Sequence, residues 1–186
     1  MKILLIDNGT SYLSQIEKLL SNVSFRVIRY SEITQTSIED FDAVILSGGH
    51  EFPVYGSEDR LIDEMHLIKN FNKPIFGICF GFELIAYVFG AHLECMQDKE
   101  RGILDIQVVE SDDLFLNILN FQVFESHRWV IKKPVDSLKV LARSKDGIEA
   151  VKHKTRLIYG VQFHPEMFVE KTCGDEIFYN FLNLIK

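Results

Sequence analysis

Proline and cysteine are scarce in this chain, which has four prolines and three cysteines among 186 residues. So little proline leaves no room for a proline-rich linker. The thiols Cys79, Cys95 and Cys173 are odd in number and show no Cys-x-x-Cys spacing, which argues against a disulfide framework or a zinc ribbon. At least one thiol is therefore free. Cations are also in deficit, with 20 Lys and Arg against 27 Asp and Glu and a net charge of −7. Binding a phosphate backbone needs clustered cations, so nucleic acid is not an expected partner. Long apolar runs are missing too. Ile3-Leu4-Leu5-Ile6 ends at Asp7, well short of a signal-peptide core or a membrane span, so no membrane association is expected and the chain is expected to be cytoplasmic.

What is present is the composition of an ordinary soluble domain, 47% hydrophobic and 25% charged. No linker, repeat or low-complexity tract interrupts it, and the length suits one domain over residues 1–186. Short runs rich in Ile, Val and Leu alternate through the first half with longer amphipathic stretches, the pattern of buried parallel strands joined by helices. Strands are predicted at Lys2 to Asp7, Phe25 to Tyr30, Ala43 to Ser47 and Pro74 to Ile78. Tyr12, Leu13, Ile16, Leu19 and Leu20 share one helical face, as do Leu61, Ile62, Met65 and Ile68. A third helix is predicted from Phe80 to Phe89, with Gly90 suited to the left-handed turn beyond its end.

The second half reads as hairpins: Ile103 to Val109, Phe121 to Phe124, Leu138 to Ala142, Ile148 to Val151 and Leu157 to Phe163. A last amphipathic helix is predicted from Asp175 to Ile185. The charged pieces Asp98-Lys99-Glu100-Arg101 and Lys152-His153-Lys154 read as solvated turns.

Gly77-Ile78-Cys79-Phe80-Gly81 joins a predicted buried strand to a predicted helix, the layout of a nucleophile elbow at the carboxyl end of a strand. The glycines permit a sharp turn, and the first N–H groups of the helix favour a thiolate. The same pattern also suits a small buried cysteine packed at a turn, and the spacing alone does not separate the two. A base is available in His164-Pro165-Glu166, where proline holds His164 extended and two-residue spacing lets imidazole and carboxylate project to one side. By itself that tripeptide also suits a strand-ending turn; together with an elbow cysteine it has the nucleophile, base and orienter logic of a triad. Ser47-Gly48-Gly49, at the end of another predicted strand, by itself suits an ordinary strand-ending turn, but beside the elbow its exposed backbone N–H groups can hold an oxyanion together with that of Phe80. A metal site from Cys79, His127, His164 and Glu166 is the competing chemistry, but none lies at short ligand spacing and the glycines would have no role in it, so no metal is expected.

These elements in this order resemble the class I glutamine amidotransferases, in which a Cys, His, Glu triad releases ammonia from glutamine. Asp7-Asn8-Gly9, Ser47-Gly48-Gly49, Val54-Tyr55, the Cys79 elbow, Glu125-Ser126-His127, Leu141-Ala142-Arg143-Ser144 and the stretch from Ile148 to Glu166 carry the likeness, which spans nearly the whole chain. Within the family they are most similar to the free-standing amidotransferase subunits of GMP synthetases. The resemblance implies a single-domain α/β, flavodoxin-like fold: a central, mostly parallel sheet flanked by helices, with an antiparallel hairpin extension in the second half. It implies Cys79, His164 and Glu166 as catalytic residues and Gly49 and Phe80 as oxyanion donors. Gly48, Glu83, Ser126 and His127 are implied in substrate binding, Ser126 and His127 largely through backbone. It implies glutamine or a related γ-glutamyl substrate, no cofactor, and a synthetase partner, an ATP pyrophosphatase subunit, since this length leaves no room for a nucleotide-activating domain.

The chain departs from the family pattern at His50, where proline is usual, and at Phe82-Glu83, where His-Gln is usual. Arg128-Trp129 stands for Gly-Asp, and no His-Thr follows Glu166. An ionised Glu83 only accepts hydrogen bonds, whereas glutamine both donates and accepts. Two further readings therefore stay open: a stand-alone hydrolase of γ-glutamyl amides or peptides, and a non-catalytic regulatory relative.

Overall fold

The computed structural model describes residues 1–185. Their main elements are β1 (Lys2–Asp7), α1 (Leu13–Leu19), β2 (Ser24–Arg29), β3 (Ala43–Leu46), α2 (Glu58–Asn70), β4 (Ile75–Ile78), α3 (Phe80–Val88), β5 (Glu94–Val108), β6 (Asn120–Val130), β7 (Leu138–Arg143), β8 (Ile148–His153), β9 (Ile158–Val161) and α4 (Gly174–Leu184). The strands form one mixed sheet in the order β2-β1-β3-β4-β9-β8-β7-β5-β6. The first five in that order pair in parallel and the remainder antiparallel. The expected parallel centre with an antiparallel extension is what the chain adopts. Among the described residues no helix is long and apolar enough to cross a membrane.

Every residue of β3 (AVIL), β4 (IFGI) and β9 (IYGV) is buried, as strands covered on both faces require. Alternation along β1 sends Ile3 and Leu5 into one core layer with Ile16, Phe76, Phe178 and Phe181, and Leu4 and Ile6 into the other with Leu61, Ile68, Phe82 and Ile85. Thus α1 and α4 cover one face, and α2 and α3 the other.

Three expectations need correction. Ile62 is 62% exposed, and the inward face of α2 is instead Leu61, Glu64, Leu67 and Ile68. Glu64 tolerates burial because Asn8 Nδ2 donates to its Oε1 at 2.9 Å. Second, β5 begins at Glu94, so Asp98-Lys99-Glu100-Arg101 lies within a strand rather than a turn. It pairs with β6 on both sides of an irregularity between Cys95 and Glu100. One face of this ribbon is open to water, so its polar residues alternate and conceal the strand. Third, Lys152 and His153 complete β8 instead of belonging to a turn.

The decisive placement is that of β9, which ends a run of hairpins yet returns to the centre and pairs in parallel with β4, Gly77 opposite Gly160 and Ile78 opposite Val161. The first turn of α3 then packs tightly on β3. A Cβ on Gly81 would lie 2.5 Å from the carbonyl oxygen of Leu46, a backbone atom that cannot swing away. Gly81→Ala is expected to destabilise the fold by about 1–3 kcal/mol, the usual effect of overpacking, read as a lower denaturant midpoint. An unchanged midpoint would mean that α3 does not sit against β3 this closely.

Candidate active site

Cys79 occupies the turn between β4 and α3 at φ 50° and ψ −104°, a conformation that non-glycine residues rarely adopt. Its surroundings hold it there: the Cys79 N–H donates to the Val161 carbonyl at 2.8 Å, and the Glu83 N–H to the Cys79 carbonyl at 2.9 Å. The flanking glycines are required by contact, since a Cβ on Gly77 would lie 2.6 Å from the Gly81 backbone. Strain at an over-determined turn marks functional sites.

The parallel pairing of β9 with β4 delivers the stretch after Val161 to this turn. His164 is fixed by its N–H, which donates to the Phe124 carbonyl of β6 at 2.8 Å. Its Nδ1 lies 2.9 Å from Glu166 Oε1, both side chains almost fully buried. The Tyr12 ring meets the imidazole edge to face at 5.0 Å between centroids. With Nδ1 engaged by the carboxylate, Nε2 is the nitrogen left for proton transfer. A Cβ on Gly48 would lie 3.0 Å from His164 Cε1 and 3.7 Å from Cys79 Cβ, so thiol and imidazole flank one point.

The Gly48-Gly49 loop is pinned by polar bonds beneath it. Ser47 N–H donates to the Ile6 carbonyl at 3.0 Å, Asn8 N–H to Ser47 Oγ at 2.9 Å, and Ser47 Oγ to the Gly48 carbonyl at 2.8 Å. Asn8 in turn bonds Glu64, whose carboxyl burial pushes up to about 7 despite that hydrogen bond. The N–H of Gly49 donates to no backbone carbonyl among the described residues and lies beside the thiol in the cavity wall.

Electrostatics overturn one expectation from the sequence. Burial pushes the Cys79 thiol up, and the charges of Glu83, Glu125 and Glu166 push it further; the Phe80 N–H pulls the other way. A single helix N–H does not outweigh a dry site with three acidic side chains around it, so Cys79 rests as a thiol. Glu83, in the first turn of α3, is 4% exposed and accepts from Gln162 Nε2 at 3.1 Å. Burial raises its carboxyl to about 7, with Gln162 and His127 opposing. Near neutrality about half of it carries a proton and can donate as a glutamine amide does.

Two cavities meet at Cys79, Gly49, Lys99 and Ser126. One of about 220 Å³ is lined also by Tyr12, Arg101 and His164, and one of about 430 Å³ by Phe80, Glu83, His127 and Trp129. The structure thus brings Cys79, Gly49, Phe80, Glu83, Ser126, His127 and His164 around one space, with Gly48 behind His164 and Glu166 behind the imidazole. His127 turns its ring away from that space: Nδ1 is 3.0 Å from the Trp129 carbonyl, and Nε2 is 3.3 Å from Glu125 Oε2. Sequence reading missed Lys99 and Arg101, which bring positive charge to the cavity wall from what read as a solvated turn, and Gln162, which was hidden within an apolar strand. No local pattern marks any of them.

Exposure separates the three thiols, which are all free: Cys79 is buried, Cys95 exposed and Cys173 between them. Iodoacetamide is expected to modify Cys95 ahead of Cys79 in the native protein, whereas a γ-glutamyl chloroketone, guided by the cavity, is expected to label Cys79 and spare the others. Peptide mass spectrometry reads both. Equal labelling of all three by the directed reagent would remove the argument for a substrate-guided thiol.

Comparison with known proteins bears on this arrangement. The family model for glutamine amidotransferase class-I matches residues 4–184. The chain is 34% identical over 195 residues to a subunit of the glutamine-hydrolyzing GMP synthase of Pyrococcus abyssi, covering 98% of this chain and 97% of the relative. It is 34% identical over 185 residues to the corresponding subunit from Methanocaldococcus jannaschii, covering 96% and 95%. Among solved structures, a putative GMP synthase subunit from Thermoplasma acidophilum superposes with a TM-score of 0.87 at 30% identity, covering 98% of this chain and 92% of that one. A glutamine amidotransferase from Thermotoga maritima, at 22% identity and a TM-score of 0.79 over 99% and 84%, shares the fold. With nearly its whole length matched, the chain belongs to the class I glutamine amidotransferases.

Proposed function

We propose that this chain is the glutamine-hydrolysing subunit of a GMP synthetase. In this reading all 186 residues act as one amidotransferase domain that passes ammonia to a separate ATP pyrophosphatase subunit. The observation that carries the catalytic part is the buried His164–Glu166 pair, 2.9 Å apart, facing a strained Cys79 across one cavity. The partner is supported by the names of the relatives, whose full lengths this chain nearly spans. A cytoplasmic setting is supported by three unpaired thiols, one of them exposed, which suit a reducing compartment.

The geometry supports the following sequence. Cys79 starts as a thiol, and His164 Nε2 takes its proton as Sγ attacks the γ-carboxamide carbon of glutamine. Glu166 holds the ring and stabilises the imidazolium. The oxyanion is held by the N–H groups of Gly49 and Phe80. His164 then protonates the leaving ammonia, and water activated by the same imidazole hydrolyses the thioester to glutamate. Lys99 and Arg101 supply positive charge for the substrate α-carboxylate. Protonated Glu83 does the work of the family's usual glutamine, accepting from Gln162 and donating toward the substrate.

Cys79→Ala is expected to abolish hydrolysis while preserving the fold. His164→Ala should lower kcat about 10²–10⁴-fold, and Glu166→Gln less, because the carboxylate orients the group that moves the proton. Near-normal turnover in His164→Ala would contradict the assignment. Glutaminase activity should rise on adding an ATP pyrophosphatase subunit. Strong activity of the chain by itself, with no response to that partner, would instead favour a stand-alone γ-glutamyl amide hydrolase, and no activity in either case a regulatory relative.

The hydrolase reading has one specific observation behind it, the Glu83 carboxyl in the cavity wall. Above a pH of about 7 Glu83 loses its proton, stops donating and repels the carboxylate of free glutamine. KM for glutamine should therefore rise with pH through that range in the wild type. In Glu83→Gln it should stay flat and be about tenfold lower at pH 8, a difference of about 1.4 kcal/mol. Parallel pH profiles in the two proteins would show that Glu83 does not act on substrate binding.

A further inference from the structure

Behind the substrate cavity, on the far side of the His127 ring, lies a group of side chains that the hydrolysis does not use. One donor atom each from Glu125, His127 and Glu149 falls within 4.8 Å of the others, and all three residues are at most 4% exposed. Both oxygens of Glu125 and Oε2 of Glu149 are buried and meet no donor from the rest of the chain, and the two carboxyls, each pushed up to about 8 by burial, have only one another to share a proton with. A buried carboxylate left without a partner is costly, and oxygens converging on one imidazole nitrogen are relieved by a proton or by a metal cation held between them.

The neighbours of this group decide what that charge is. His127 Nδ1 lies 3.0 Å from the Trp129 carbonyl, which only accepts, so Nδ1 carries a proton and Nε2 is the nitrogen turned toward the carboxylates, the one a metal ion would take in place of a second proton. Glu149 Oε1 accepts from Ser144 Oγ, which fixes the carboxylate and leaves Oε2 facing inward. An imidazole whose far nitrogen donates to a carbonyl, beside a carboxylate steadied by a hydroxyl, is the arrangement that outer partners impose on metal ligands. The Nε2 to Glu125 Oε2 distance is 3.3 Å. Two ligands at about 2.1 Å from a tetrahedral zinc ion are about 3.4 Å apart. The surroundings are acidic as well, with Glu100 and Asp146 nearby on the Glu125 side and Glu83 on the His127 side. Lys145, which reaches Glu100 at 3.6 Å and Asp146 at 3.8 Å, is itself 72% exposed.

We propose that Glu125, His127 and Glu149 form a structural site for a divalent transition metal, zinc above all, that ties β6 to β8 behind the substrate cavity. Two carboxylates and an imidazole are donors that zinc accepts, with a further position left for water. The four residues that the sequence offered as metal ligands do not assemble as such: of them only His127 belongs to this group. Because β6 carries Ser126 into the cavity wall, the ion would hold that wall in place without taking part in the chemistry. The inference rests on these three side chains and their partners, and stands or falls independently of the reaction assigned to Cys79.

Metal content of the whole chain tests it. The protein, expressed without a histidine tag in zinc-supplemented medium and dialysed against EDTA under native conditions, is measured by inductively coupled plasma mass spectrometry. About one zinc per chain is expected, held through dialysis because the donors are buried and lost on unfolding in guanidinium with EDTA. Glu125→Gln and Glu149→Gln should each lower the bound zinc tenfold or more, and Ser144→Ala should weaken zinc affinity about 10–100-fold on refolding with Zn²⁺. Less than about a tenth of an ion per chain in the wild type would overturn the proposal. So would Gln variants that match or exceed the wild type in thermal stability, the result expected if a shared proton alone joins the carboxyls.

Discussion

The parallel register between β4 and β9 is the constraint on which the remaining geometry depends. Its last hydrogen bond, from the Cys79 N–H to the Val161 carbonyl at 2.8 Å, holds the elbow in its strained conformation. The same pairing sets where the chain leaves β9, and thus where His164 and Glu166 stand. A nucleophile from residue 79 and a base from residue 164 meet only because a strand that closes a series of hairpins reinserts at the centre of the sheet. Both strands are buried on both faces, and the paired glycines fix their register: a Cβ would lie 2.6 Å from the Gly81 backbone at Gly77 and 2.8 Å from the Phe82 ring at Gly160, so a slip that brought a larger residue there would clash with α3.

Around that frame the molecule buries four carboxyl groups whose burial raises them toward the neutral form. Glu64, Glu83, Glu125 and Glu149 are each no more than 4% exposed. Their uses differ. Glu64 anchors Asn8 under the oxyanion loop. Glu83 shares Gln162 with the cavity side of the thiol. Glu125 and Glu149 converge on His127. Burial raises the thiol first, Glu83, Glu125 and Glu166 raise it further, and this upward shift makes the imidazole a necessary partner: a cysteine that rests protonated needs a base beside it at the moment of attack.

Much of this is legible in the amino-acid sequence alone. The short apolar strands, the glycine-flanked cysteine and the His-Pro-Glu tripeptide are local patterns, each with a mechanical reason, and they lie where the periodicity put them. What escaped was whatever depends on partners distant in sequence. Glu64 looked like the polar side of α2, because its suitability for burial comes from Asn8, 56 residues away. The segment from Asp98 to Arg101 looks like a turn, because a strand open to water on one face carries charges that periodicity discounts. The sign of the shift at Cys79 escapes for the same reason, since the burial of the thiol and the approach of Glu125 and Glu166 exist only in the fold. The meeting of Glu125 with Glu149 was invisible in sequence, as it needs β6 to fold back toward β8.

The central claim is that this fold assembles a thiol that attacks a γ-glutamyl carbonyl. The most direct measurement is acid quenching of the protein during turnover of glutamine, followed by peptide mass spectrometry for the covalent intermediate. The account requires a γ-glutamyl group on the peptide that contains Cys79, absent without glutamine and absent from the peptides with Cys95 and Cys173. Turnover with no adduct at Cys79 under conditions that preserve thioesters, or an adduct on a different side chain, would contradict it.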